Sequence, residues 1–143
     1  MDWKDQRQVS EYVELLNEKL GLEPCTIYMM PKSVQDGGSA GDITGDYEWS
    51  TDDIVVPDGV TLPAVPDSEI TTRITNKMWT AVRLKRNREL SNSDVMALQD
   101  RVMTDEQKTY RQALRDLPAS TTPVIDNTSM CGITSVTWPT KPS

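Results

Sequence analysis

The side chains with the clearest chemical potential in this sequence are carboxylates. Five of them lie close together in one stretch, namely Asp42, Asp46, Glu48, Asp52 and Asp53. Such a group could bind Ca²⁺, but its spacing does not fit the ligand positions of an EF-hand loop. The surrounding sequence is rich in Gly and Pro and supplies no nucleophile. We therefore expect a solvated acidic segment and no metal ion.

The residue types that most often perform catalysis are missing or isolated. The 143-residue chain has no histidine and two cysteines, Cys25 and Cys131. Without histidine it lacks the commonest general base near neutral pH. The cysteines could form one disulfide, although two free thiols suit a cytoplasmic protein better; they cannot provide a four-ligand zinc site. We expect no enzyme activity and no cofactor.

Composition and charge restrict the class of protein further. Hydrophobic residues make up 36% of the chain, and no apolar run approaches the ~20 residues that span a bilayer. Residues 1–69 carry four basic and 15 acidic side chains, a net charge of −11, whereas residues 70–143 carry 11 and seven, a net charge of +4. The two halves either attract each other or face different partners. We expect no membrane partner.

The elements of the acidic half are predicted to be one helix and short strands. Apolar residues at helical spacing, among them Val13 and Leu16, predict a helix over residues 5–20 with these two side chains in the core. β-branched and aromatic residues predict a strand over residues 26–30. Residues 54–56 and 60–62 are predicted to form two more short strands across the turn at 57–59.

The basic half is predicted to contain two helices and an extended tail. Helical spacing continues from residue 67 to Leu90, although threonines weaken its first turns. Thr104 and Gln107 form a capping-box pattern that begins a second helix, which Pro118 should end. We expect an antiparallel αα-hairpin, then a strand over residues 133–138 and a Trp-Pro tail. The expected core residues of this hairpin are Val82, Tyr110, Leu114 and Leu117.

Together these elements predict an α+β fold in two parts. The first part, residues 1–66, is a variable acidic region, and the second, residues 67–143, is the helical hairpin with its tail.

Candidate binding residues follow from the aromatic and basic side chains of the second part. Trp79 and Arg83 are one helical turn apart, so the guanidinium could cover a buried indole, or the pair could contact a partner. Arg111 and Arg115 are predicted on the outer side of their helix, where they meet either carboxylates of the acidic half or a partner. Trp138 and Pro139 are further candidates in the tail.

The basic run at the end of the first helix of the hairpin does not indicate nucleic acid. Arg83, Lys85, Arg86 and Arg88 point in four directions around a helix, and the whole chain has a net charge of −7. We expect Arg86 and Arg88 to pair with Asp94 or Asp100, and we also count Arg86 among the candidate partner contacts.

Several short blocks occur in a characteristic order in the second half of the chain. They are residues 79–83, 85–88, Leu90, 93–94, 98–100, 110–118 and 136–142. This order resembles the C-terminal region of the tail fibre assembly chaperones of tailed bacteriophages. The resemblance covers the C-terminal half only, and its most specific parts are residues 110–118 and the Trp138-Pro139 ending.

The resemblance implies a function. Members of the family bind the trimeric host-recognition fibre and help it fold or assemble, so this chain would act in the host cytoplasm during assembly and then stay on the virion, in several copies around the fibre. The alternative is a purely structural tail component, such as a fibre-tip or baseplate decoration, without a folding role.

Overall fold

Four α-helices and one small sheet form the regular structure of the residues that the computed structural model describes, which are 6–40, 47–98, 101–124 and 135–142. The helices are α1 (Gln6–Leu20), α2 (Lys32–Gln35), α3 (Asp67–Asn92) and α4 (Asp105–Ser120). The strands are β1 (Tyr28–Met29) and β2 (Ile54–Val55). The chain divides into two units, Met1–Ile74 and Thr75–Ser143, and the boundary falls within α3.

In the first unit, α1 buries a broad face that is not wholly apolar. Val13 and Leu16 are buried there together with Asn17. The Asn17 side chain accepts a hydrogen bond from the Ile27 N–H at 2.9 Å and donates to the Ile27 carbonyl at 2.8 Å. One side chain thus satisfies both backbone groups of a fully buried residue. These two hydrogen bonds fix the start of the chain segment that leads into β1.

A buried carboxylate lies next to the two-stranded sheet and ties together the segments that flank it. β1 and β2 are antiparallel, with Tyr28 opposite Val55 and Met29 opposite Ile54. Beside them Asp53, 1% exposed, accepts hydrogen bonds from the Lys32 N–H at 2.7 Å, the Ser50 N–H at 2.7 Å and the Tyr47 hydroxyl. Burial alone would raise the pKa of Asp53, but these hydrogen bonds together lower it below its ordinary value.

The predicted α+β class is wrong, because the described part of the chain is predominantly helical. The strand predicted over residues 26–30 shrinks to Tyr28–Met29, and residues 60–62 form no strand. Pro57 and Pro63 flank the latter and cannot donate to a ladder, which limits pairing there. At the C-terminus residues 135–138 are not a strand, while residues 133–134 lie outside the described residues.

Helix α3 starts earlier and more firmly than its threonines predict. It begins at Asp67, and the hydroxyls of Thr71 and Thr72 donate to the carbonyls of Asp67 and Ser68, at 3.0 and 2.7 Å. Arg73 binds α1 through Glu18 at 2.8 Å, with Glu11 at 3.5 Å and Glu14 at 3.7 Å. These contacts hold α3 against α1 within the first unit.

In the second unit, α3 and α4 contact each other in an antiparallel sense. Val82 packs with Leu117, and the Tyr110 hydroxyl donates to Glu89 at 3.2 Å. From the first contact to the second, the residue number increases along α3 and decreases along α4, so the two helices run in opposite directions. Tyr110, Leu114 and Leu117, all predicted as core, are at most 5% exposed.

The start of α4 follows the predicted capping box, but its end does not follow the prediction. The Thr104 hydroxyl accepts from the Gln107 N–H, and the Gln107 side chain accepts from the Thr104 N–H, both at 3.2 Å. Pro118 was expected to end the helix, yet α4 runs to Ser120. A proline near the last turn removes a single helical hydrogen bond and has a φ angle compatible with the helix, which explains the extension.

Replacing Leu114 by Ala should lower the free energy of unfolding by about 2–5 kcal/mol. The Leu114 side chain is 1% exposed, so its truncation would leave a cavity in the core. Chemical denaturation of the full chain measures this. Leu84→Ala is the matched control, since Leu84 is 65% exposed and its loss should change stability by no more than about 0.5 kcal/mol. Equal midpoints for Leu114→Ala and the unmodified chain would contradict the buried assignment.

Replacing Asp53 by Asn should destabilise the protein by about 1–3 kcal/mol at neutral pH. Both carboxylate oxygens accept from backbone N–H groups, and in the variant an NH₂ donor would replace one of these acceptors. The folded-state pKa is lowered, so the stability from Asp53 is present above its unfolded pKa of about 3.9 and is lost as pH falls through the folded value.

Denaturation curves at several pH values test this, with exposed Asp52→Asn as the control. The gap between Asp53→Asn and the unmodified chain should close under acid conditions. A gap that stays constant down to strongly acid pH would contradict the role of the ionised carboxylate.

Candidate protein-binding surface

A three-residue apolar cluster organises the second unit. Val82 of α3, Leu117 of α4 and Val136 of the C-terminal tail are all buried and pack together. These residues come from three separate segments, so the tail is held on the helix pair by burial of its valine. Trp79 and Trp138 pack on the same cluster and are only half-buried.

The predicted contact between Trp79 and Arg83 is present. The Arg83 guanidinium carbon lies 5.5 Å from the centre of the Trp79 ring, within cation–π range. Trp79 has one side on the apolar cluster, whereas Arg83 is exposed. The two alternatives predicted for this pair, a packed indole and a surface available to a partner, are therefore compatible.

A second cation–π pair, which the sequence analysis missed, lies in the same unit. The Lys85 ammonium is 4.2 Å from the centre of the Trp138 ring. Lys85 and Trp138 are far apart in sequence, so no helical spacing could reveal the contact. The only sequence signal for this contact is that Val136 and Trp138 are large apolar residues at alternate positions of a tail that contains few other apolar residues.

We call Trp79, Arg83, Lys85, Trp138 and Pro139 the tryptophan surface. Its rings and the proline are half-buried, and its two cations lie over the aromatic faces. Half-buried tryptophans with arginine beside them are the side chains that most often dominate protein–protein binding energy. The surface can bury apolar area and can donate hydrogen bonds to carboxylates or carbonyl groups of another protein.

Arg111 lies elsewhere and points inward, so its predicted position on the outer side of α4 is wrong. It is 8% exposed and donates to the Ser93 hydroxyl at 2.6 Å, to Asp94 at 2.9 Å and to the Leu90 carbonyl at 3.3 Å. Its positive charge thus sits at the C-terminal end of α3, where the helix dipole favours a cation. Arg111 joins the two helices at the end away from the tryptophan surface.

The remaining predicted arginines do not join the tryptophan surface through any contact among the described residues. Arg86 donates to the Asn87 side chain at 2.8 and 3.1 Å. The predicted pairing of Arg86 or Arg88 with Asp94 is wrong, because Arg111 binds that carboxylate; Asp100 lies outside the described residues. Arg115 is exposed and lines a cleft.

Neither a metal centre nor a membrane-spanning helix is found within the described ranges. Those residues contain no group of three or more cysteines and carboxylates arranged to hold a metal ion, and none of their helices is long and apolar enough to cross a bilayer. Cys25 is exposed with a free thiol, and Cys131 lies outside the described residues.

Replacing Arg111 by Lys should lower the free energy of unfolding by about 1–3 kcal/mol, because an ammonium cannot bond to Ser93 and Asp94 in the fork geometry of a guanidinium. Thermal or chemical denaturation measures the change. Exposed Arg115→Lys on the same helix is the control and should be within about 0.5 kcal/mol of the unmodified chain. Equal losses for both variants would rule out the joining role of Arg111.

One comparison with known proteins gives a match within this unit. Residues 79–143 match the family described as phage tail assembly chaperone protein. Neither the curated proteins nor the solved structures gave a match to the chain. The matched region begins at the first residue of the tryptophan surface and includes α4 and the tail. This match confirms the family resemblance predicted from the sequence of the C-terminal half.

Proposed function

We propose that the protein is a tail fibre assembly chaperone that binds the trimeric host-recognition fibre through the tryptophan surface and assists its folding. The observation that carries the proposal is the coincidence of the matched region, residues 79–143, with a surface of two half-buried tryptophans, each covered by a cation. A phage tail assembly chaperone implies a tail protein as partner. In this proposal the chain binds protein and catalyses no reaction.

The physical role of the surface would be to cover apolar area that a fibre chain exposes before it trimerises. Unpaired apolar surface and strand edges of large, slowly assembling proteins aggregate readily. The tryptophan rings supply apolar area at low cost in side-chain entropy, and Arg83 and Lys85 supply donors for polar groups at the edge of the contact. Binding would take place in the host cytoplasm, and the protein would then remain on the virion, in several copies around the fibre.

A purely structural role in the tail, as a fibre-tip or baseplate decoration, is the second candidate. Such a protein would also need a partner surface, so the tryptophan surface alone does not separate the two functions. The dependence of fibre folding on this chain does separate them.

Co-expression tests the chaperone role. The fibre protein encoded beside this chain should be soluble and trimeric when both are produced, and aggregated when it is produced alone. Size-exclusion chromatography with light scattering measures both states. A soluble trimer formed without this chain would contradict the chaperone role and leave the structural one.

The same pair of proteins tests the surface. Arg83→Glu should weaken fibre binding about tenfold or more, a loss of about 1.4 kcal/mol, and removal of residues 138–143 should weaken it further. Arg88→Glu makes the same charge change at another exposed position of α3 and should bind normally. The amount of fibre protein that co-purifies with each variant after co-expression gives the relative affinities. Equal affinity for the Arg83 and Arg88 variants would exclude the tryptophan surface as the contact.

A further inference from the structure

The connection between α3 and α4 exposes an unusual amount of apolar side chain. Val95 and Leu98 are each 51% exposed, and Val102 is 96% exposed. These are three of the six large hydrophobic residues that are exposed in the described part of the chain. Single exposed apolar residues need no explanation, but a concentration of them in one connection is typical of a binding site.

A cleft in the second unit is lined by Ala97 and Met103, the sequence neighbours of Leu98 and Val102. Its volume is about 430 Å³, and Ala97 and Met103 of the connection contribute apolar walls. Lys108, Arg111 and Arg115 of α4 contribute three cations. Among the described residues that line it there is no carboxylate, and Asp94 and Asp105, which pair with Arg111 and Lys108, are not part of that lining.

The three cations of the cleft differ in whether their side-chain donors are already paired within the protein. Arg111 is bound to Ser93 and Asp94, and Lys108 is paired with Asp105 at 2.9 Å on the surface. Arg115 is exposed, and no ion pair or hydrogen bond joins its side chain to any residue in the described ranges. The cleft therefore offers a guanidinium fork with open donors next to an apolar wall.

From this combination we infer that the cleft binds a segment of the tail protein in which carboxylates alternate with apolar side chains. A carboxylate would accept from Arg115, and the apolar side chains would cover Val95, Leu98 and Met103. A second copy of this chain could offer its acidic residues 1–69, which carry a net charge of −11, and it is the competing occupant that the test distinguishes. The tail protein as occupant rests on the proposed function, whereas the chemistry of the cleft does not.

The chemistry is tested on the full chain with a short peptide that contains Asp and Leu, and with a matched peptide that has Lys in place of Asp. Methyl NMR signals of Val95, Leu98 and Met103 should shift with the Asp peptide and not with the Lys peptide. Arg115→Glu should weaken Asp-peptide binding about tenfold or more, and higher salt should weaken it too. Arg88→Glu is the control and should leave the affinity unchanged.

Several results would overturn the inference. Equal binding of the two peptides, or equal effects of the two arginine variants, would show that the cleft does not select carboxylates. Self-association of the unmodified chain that Arg115→Glu abolishes would make a second copy the occupant.

Binding to the tail protein itself then identifies the occupant. Arg115→Glu should weaken the complex with the co-expressed fibre protein about tenfold or more, and an unchanged affinity would exclude a fibre segment as the ligand. If the fibre protein does not bind the unmodified chain at all, the proposed function fails, and the inference fails in its choice of occupant. The peptide titration separately decides whether the cleft selects acidic, apolar segments.

Discussion

Burial of Val82 between Leu117 and Val136 is the contact on which the arrangement of the second unit depends. Three β-branched or aliphatic side chains exclude water together, yet they form too small a cluster to enclose the two tryptophans that pack on it. Trp79 and Trp138 are therefore left half-exposed, each under a cation. The feature that makes the surface suitable for a partner is thus a direct result of a small core.

Charge acts differently in the two units. In the first, Arg73 joins α3 to three glutamates of α1, and Asp53 is ionised and buried because backbone donors and a tyrosine satisfy it. In the second, Arg111 holds the end of α3, while Arg83, Lys85 and Arg115 keep donors near solvent. Arg73 and Asp53 therefore make internal contacts of the first unit, whereas Arg83, Lys85 and Arg115 of the second unit are available for binding.

The sequence predicts the long helices well and the rest less well, for physical reasons. Periodic apolar positions and the Thr104–Gln107 cap are local signals, and they place both ends of α1 and the start of α4 correctly, whereas α4 continues past Pro118. A strand depends on pairing with a distant segment. Residues 60–62 have a high strand propensity but no partner strand, so their composition alone gave a wrong prediction. Arg111 and Lys85 contact residues that are distant in sequence, and neither contact has a local signature. The Trp79–Arg83 pair, one turn apart, does have one.

The most direct test of the central claim is hydrogen–deuterium exchange of the full chain, alone and in complex with the fibre protein. The account predicts that binding slows exchange in residues 79–88 and 135–142, which carry the tryptophan surface, and leaves α1 and the sheet unchanged. If exchange slows only in the first unit, and the segments around Trp79 and Trp138 exchange equally fast in both states, the tryptophan surface is not where the partner binds.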